Sequence, residues 1–193
     1  MNGASQAARK AHPTALPGAH SRGPASVQAD QRAATALTLP AGALEDLVQH
    51  IGEYGRRGLE TGGFLLAPAA DPATITTVAL TTTKGILRGA DRFVVSGLAV
   101  DVLSEWAEDG DLRIIAGVHS HGRDAQLSLI DEESGYRVEG FTSVVVPQFA
   151  RPPADPSSWG WYRFTLGIWR PTAQGAIRSD PGITMTFDED GVQ

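Results

Sequence analysis

The sequence predicts a single-domain α/β protein in which a mixed β-sheet is flanked by helices. Short apolar runs rich in β-branched residues, such as 75–80 and 141–146, are typical of strands. Residues 41–54 instead carry apolar side chains at helical spacing. The two patterns alternate without a strict strand–helix–strand rhythm, which favours a mixed sheet over a purely parallel one.

Length and composition indicate one globular domain preceded by a tail. The chain has 193 residues, of which 41% are hydrophobic and 20% charged, a composition that can build one core. Residues 1–36 are rich in Ala, Gly, Ser, Pro and Gln, and they hold too little apolar surface to offset the entropy of ordering. We therefore expect a disordered tail at 1–36, whose role the sequence does not indicate, and a folded domain at 37–193.

Charge and residue usage argue against several classes of protein. The formal net charge of −6 is unfavourable for a general nucleic-acid binder. The absence of cysteine excludes disulfides and cysteine-ligated zinc. No apolar run approaches the ~18 residues of a membrane span, and no secretory signal pattern is seen. A cytoplasmic protein without nucleic-acid or membrane partners is the expectation.

The first half of the chain is predicted to contain two helices and three strands. The first helix, 41–54, has its apolar positions at Leu44, Leu47, Val48 and Ile51. Strands are predicted at 62–66, at 75–80 and at 92–95, with a loop or insertion at 81–90. Ser96 is a suitable N-cap for a second helix ending before Gly110, with one apolar side formed by Leu98, Val102, Leu103 and Trp106.

The second half is predicted to be mainly β-structure. An apolar strand at 112–118 leads into two histidines, and a helix at 128–138 follows. The later strands are predicted at 141–146, at 162–168 and, more weakly, around 183–187, with an irregular proline-rich segment at 148–158.

His119 and His121 follow a predicted strand and are separated by one residue. Alternate side chains of a strand share a face about 7 Å apart, so both imidazoles could reach one metal ion. Asp131, on the next element, would add a carboxylate. Two imidazoles and one carboxylate, with no fourth protein ligand evident, are typical of a catalytic zinc site with a position open for water. The alternatives are two idle histidines hydrogen-bonded to the backbone, or an iron(II) oxygenase site.

The segment from Ser128 to Asp131 also has a structural interpretation. Ser-x-x-Asp is a capping box, and acidic residues are favourable at a helix N-terminus. A cap would hold Asp131 rigidly in the first turn, so capping and metal binding are compatible. Glu132 or Glu133 could supply the carboxylate instead.

Three segments together resemble the JAMM motif of the JAB/MPN metalloproteases, in particular the prokaryotic-type single-domain members. They are Glu60-Thr61-Gly62-Gly63, His119-Ser120-His121 and Ser128-Leu129-Ile130-Asp131. The resemblance spans roughly 44–169 and implies the JAB/MPN-like fold. The chain departs from the family at Gly122, where a proline is usual, and in having six residues between His121 and Ser128, where seven is commoner.

The resemblance implies a role for each motif residue. His119, His121 and Asp131 would bind one Zn²⁺ per chain, Glu60 would be general base and acid, and Ser128 would stabilise the oxyanion. Zinc-activated water would then attack the scissile carbonyl.

The resemblance also implies the substrate and partners of the reaction. The activity would be that of a deubiquitinase-like isopeptidase or peptidase, cleaving after the C-terminal tail of a ubiquitin-like protein or its conjugate. Activating or conjugating enzymes of the same pathway are possible partners, and 81–90 and 148–158 lie where family members grip substrate. The alternative is a non-catalytic module of the same fold that binds ubiquitin-like proteins. An iron oxygenase would leave the Glu60 motif unexplained.

Overall fold

The computed structural model describes residues 36–193, which form one α/β domain with three α-helices and twelve strands. The prediction of a disordered tail at 1–36 falls, except for its last residue, outside the described part. In chain order the elements are β1 (Thr38–Pro40), α1 (Ala41–Gly55), β2 (Gly62–Pro68), β3 (Thr77–Thr81), β4 (Ile86–Arg88), β5 (Phe93–Val95), α2 (Gly97–Asp109), β6 (Leu112–Ser120), α3 (Leu129–Ser134), β7 (Thr142–Val146), a 3₁₀ turn (Pro156–Ser158), β8 (Gly160–Thr165), β9 (Ile168–Pro171), β10 (Ala176–Arg178), β11 (Ile183–Asp188) and β12 (Gly191–Val192).

The sheet is mixed, as the sequence predicts. Its eight strands follow the order β12-β11-β3-β2-β6-β7-β8-β9. The pairs β3–β11 and β6–β7 are parallel, and the other neighbours are antiparallel. Two small two-stranded pairs, β1–β10 and β4–β5, lie outside this sheet. The strands β2 and β6, which carry or adjoin most of the motif residues, are in its centre.

Two apolar clusters form on the two faces of the sheet. Leu65 packs in a cluster with Leu44, Leu47 and other residues of α1, whereas Phe64 and Leu66 pack with Ala99 and Leu103 of α2. Successive residues of a strand point to opposite faces, so β2 is covered on both sides. This double burial explains why its sequence is a continuous apolar run rather than an alternating one.

The first two predicted helices are confirmed, but the buried face of the second one is different. Ser96 caps α2, since its side chain accepts a hydrogen bond from the Ala99 backbone N at 3.2 Å. The buried residues of α2 are Ala99, Leu103 and Ala107, whereas Leu98 and Trp106 of the predicted apolar side are exposed. The two alanines let the helix approach the sheet closely, so its buried face is formed by small residues rather than by the large apolar ones.

The predicted helix at 128–138 is wrong in its length. Helix α3 covers only Leu129–Ser134, because Gly135 leaves the helical conformation with a ψ of 163°. The Gly135 backbone N still donates to the Asp131 carbonyl, which closes the last turn.

Two predictions for the strands are also corrected. The loop predicted at 81–90 contains β4, which pairs with β5 in a hairpin. The single strand predicted at 162–168 is two strands, β8 and β9, joined by a tight turn in which Leu166 and Gly167 both have positive φ. Among residues 36–193, no helix is both long enough and apolar enough to cross a membrane.

Candidate metal centre

His119 and His121 bring their rings together at the end of β6. His119 lies in the strand, opposite Gly62 of β2 on one side and Val145 of β7 on the other. The two ring centroids are 4.9 Å apart, and the two Nε2 atoms are 3.1 Å apart. The predicted same-face arrangement is therefore present, and both Nε2 atoms reach one point.

Asp131, in the first turn of α3, completes a group of three. Its Oδ1 is 3.4 Å from His119 Nε2, and its Oδ2 is 3.2 Å from His121 Nε2. Tetrahedral zinc, with bonds of about 2.0–2.1 Å, separates its nitrogen and oxygen ligands by roughly 3.3 Å. The spacing of the three side chains thus fits one metal ion. The loop of six residues after His121, shorter than is usual in the resembled family, does not keep Asp131 from the histidines.

Of the three acidic residues at 131–133, only Asp131 belongs to this group. Its side chain is 22% exposed, whereas Glu132 and Glu133 beside it are exposed and lie outside the group. The first turn of α3 is the reason, because one position of a helical turn faces the histidines and its neighbours turn away. The alternative ligands Glu132 and Glu133 are therefore not supported.

Ser128 forms the predicted capping box with Asp131. Its Oγ accepts from the Asp131 backbone N at 3.1 Å, and the Ser128 backbone N donates to Asp131 Oδ2 at 2.7 Å. The Ser128 hydroxyl also donates to Asp131 Oδ2 at 2.7 Å. Ser128 thus fixes the ligand carboxylate, and its single hydroxyl hydrogen would have to turn away from Asp131 to serve an oxyanion.

The charges around the group favour an ionised Asp131. Burial by itself would raise the pKa of Asp131, but hydrogen bonds from His119, His121 and Ser128 hold this pKa well below its usual range. Burial opposes the charged form of His121, yet its hydrogen bond to Asp131 and the negative charge of Glu60 raise its pKa overall. An anionic oxygen donor between two imidazoles is a suitable receptor for a divalent cation.

Glu60 is buried just before β2, with only 5% of its surface exposed. It stands two residues before Gly62, the residue that pairs with His119, and it lies outside the group of three. Burial raises the pKa of Glu60 to about 7; the charge of His121 opposes this rise, and those of Asp131 and Asp91 add to it. A carboxyl group with this pKa can both accept and release a proton near neutral pH.

A cavity of about 140 Å³ opens beside His119 and Asp131. Its walls are largely aromatic and apolar, and they include Phe64, Phe93, Tyr136, Phe141 and Trp169. Sequence analysis did not identify this cavity, because its wall residues come from β2, β5, β6, β7, β9 and the segment around α3. The only sequence signal was a set of isolated aromatic residues, which is equally typical of a core.

Comparison with known proteins supports the fold and goes no further. No family model matches the chain, and no curated protein matches it. Protein DSY2949 from Desulfitobacterium hafniense has a similar structure, with a TM-score of 0.56 and 12% identity over 75% of this chain and 94% of that one. A protein from Salinibacter ruber has a TM-score of 0.50 and 19% identity over 75% of this chain and 92% of that one. At these identities, the similarity concerns the architecture alone.

Proposed function

We propose that this protein is a zinc-dependent isopeptidase or peptidase of the JAB/MPN type, which cleaves after the C-terminal tail of a ubiquitin-like protein. One observation carries the proposal: His119, His121 and Asp131 meet at the spacing of tetrahedral zinc ligands. The same domain buries Glu60 two residues before Gly62, which pairs with His119. The motif resemblance of all four residues points to the same chemistry.

His119, His121 and Asp131 would bind the metal, and Glu60 would transfer the proton. A zinc ion held by the group would supply a Lewis acid for the scissile carbonyl and would lower the pKa of a bound water toward ~7. Glu60 would take the proton from the attacking water and pass it to the leaving amine. Asp131 stays ionised and is held in place by Ser128.

Zinc is preferred to iron for a chemical reason. Two imidazoles and one carboxylate suit either ion. A buried glutamate poised near pH 7 is useful for hydrolysis, in which a proton must move from water to an amine, and an iron(II) oxygenase has no evident use for it.

The substrate class rests on the motif resemblance, with local support from the shape of the site. The cavity beside His119 and Asp131 offers apolar walls to a short extended segment. Strand β4 lies in 81–90, one of the segments where the resembled family grips its substrate, and its hairpin with β5 exposes Leu87 and Val94. A ubiquitin-like protein fused to, or conjugated through, its C-terminus is the substrate to test.

The test compares Glu60→Gln with Glu45→Gln, a matched change at an exposed glutamate of α1. Zinc content and cleavage of a panel of ubiquitin-like fusions are measured for both variants and for wild type. We expect all three to hold one zinc per chain, and only Glu60→Gln to lose about 10²-fold or more of the cleavage rate. Full activity in Glu60→Gln would refute its role. Binding of ubiquitin-like proteins by the zinc-loaded wild type without any cleavage would favour the non-catalytic module.

A further inference from the structure

The backbone of residues 60–61, the turn that carries Glu60, is hydrogen-bonded to two other parts of the domain. The Glu60 backbone N donates to the Gly89 carbonyl at 2.8 Å. The Thr61 backbone N donates to Ser120 Oγ at 3.1 Å, and the Ser120 backbone N donates to the Thr61 carbonyl at 3.0 Å. The turn is thereby attached both to the residue between the two ligand histidines and to the end of β4.

The Arg88 side chain donates four hydrogen bonds in this region. Its Nε donates to Thr61 Oγ1 at 2.9 Å, and its Nη2 donates to Thr81 Oγ1 at 2.7 Å. Thr81 Oγ1 in turn donates to the Gly62 carbonyl at 2.9 Å. Further donor bonds reach the backbone carbonyls of Thr81 and Thr82. Arg88 therefore holds residues 61 and 62 directly or through one hydroxyl.

The acceptors that Arg88 reaches are neutral hydroxyl and carbonyl oxygens of threonine residues. The guanidinium is half-buried over the Tyr54 ring, 4.1 Å from its centroid, and within residues 36–193 it forms no salt bridge. Burying a cation costs free energy, and neutral acceptors offset that cost less well than a carboxylate does. A half-buried arginine at this position is therefore explained best by the fixed geometry of its hydrogen-bond donors.

His50 completes the arrangement around Thr61. A guanidinium can only donate, so Thr61 Oγ1 accepts from Arg88 Nε at 2.9 Å. The same hydroxyl shares a second hydrogen bond with His50 Nε2 at 3.1 Å. Two side chains from different elements thus hold the Thr61 hydroxyl.

We propose that Arg88, acting through the Thr61 hydroxyl, is the positioning residue that fixes Glu60 relative to the metal group. Arg88 and the adjacent Gly89 hold consecutive residues of the turn, one by its side chain and the other by its carbonyl. A proton-transferring carboxylate misplaced by about 1 Å loses much of its effect. The positioning follows from the contacts, whereas its consequence for catalysis rests on the proposed function.

The first test is independent of catalysis and measures amide hydrogen exchange at Glu60 and Thr61. It compares Arg88→Met with Arg57→Met, because Arg57 lies over the same Tyr54 ring, at 5.3 Å, and makes no side-chain hydrogen bond to the turn. Exchange at both amides should become about tenfold faster in Arg88→Met and stay unchanged in Arg57→Met. Thr61→Val removes the hydroxyl while nearly keeping the shape, so it should act like Arg88→Met and serves if that variant does not fold. Equal exchange in the Arg88, Thr61 and Arg57 variants would overturn the proposal.

The second test measures steady-state cleavage and zinc content in the same variants. We expect kcat to fall about 10²-fold in Arg88→Met and Thr61→Val, with KM and zinc content unchanged, and a partial recovery in Arg88→Lys. A loss that appears as zinc release or as a raised KM would contradict a role through Glu60. If wild type cleaves no substrate while the exchange pattern is as expected, the positioning role stands and the proposed hydrolysis fails.

Discussion

Gly62 lies directly opposite His119 where β2 pairs with β6, and no larger residue fits at this position. A Cβ on Gly62 would be 1.8 Å from the Val118 carbonyl oxygen, far inside van der Waals contact. The glycine therefore allows the strand that follows Glu60 to approach the strand that carries the metal ligands.

Gly62→Ala is expected to destabilise the domain by about 1–3 kcal/mol or more, because β2 must move away from β6. Urea denaturation measures this free energy of unfolding. Gly97→Ala is the matched control, since a Cβ there meets nothing within 4 Å and an alanine in α2 costs nothing. Equal stability of the two variants would show that the close approach of β2 and β6 is not needed.

Ser128→Ala should weaken zinc binding by about 10–100-fold, because Asp131 loses the hydroxyl that orients its carboxylate. A competitive chelator titration measures the zinc affinity. Ser134→Ala is the control on the same helix, since the Ser134 hydroxyl donates to the Ile130 carbonyl and not to the Asp131 carboxylate. If Ser128→Ala instead keeps its zinc affinity and lowers kcat by about 10²-fold or more, the serine acts on the oxyanion and not on the ligand.

His50 should make stability fall at acidic pH. Burial, together with the charge of Arg88, lowers the pKa of His50 to about 4, against 6.5 as the ordinary value. Below pH 6.5 the unfolded chain therefore binds a proton that the folded chain refuses. His50 therefore leaves the free energy of unfolding unchanged above pH 6.5. As the pH falls from 6.5 toward 4, it lowers this free energy by up to about 3 kcal/mol.

The measurement for His50 is the free energy of unfolding in urea at pH 7 and pH 4.5 for wild type and His50→Gln. Glutamine keeps a polar group near Thr61 and does not titrate, so the variant should lose less stability between the two pH values. The same loss in both proteins would contradict the buried neutral state of His50.

The sequence predicted those parts of the site that depend on local pattern. A period of two residues placed His119 and His121 on one side of a strand, and a capping box placed Asp131 in the first turn of a helix. Both features are set by neighbouring residues, so they can be read before the fold is known.

The parts that depend on distant contacts were not predictable in this way. Strand β4 has three residues and exists only because β5 pairs with it. Arg88 follows no motif, and its bond to Thr61 spans 27 residues. Leu166 lies in a turn and has a positive φ. Its apolar side chain fits the alternating pattern of a strand, so the pattern predicted one strand across the turn.

The most direct test of the account is the zinc content of the purified 193-residue chain, measured by mass spectrometry beside the double variant His119→Ala/His121→Ala. The variant removes two of the three converging ligand atoms and leaves Asp131 and its cap in place. We expect about one zinc per chain in wild type and none in the variant. A wild type that stays free of metal after zinc is added, or a variant that keeps its zinc, would contradict the assignment of His119, His121 and Asp131 as the metal site.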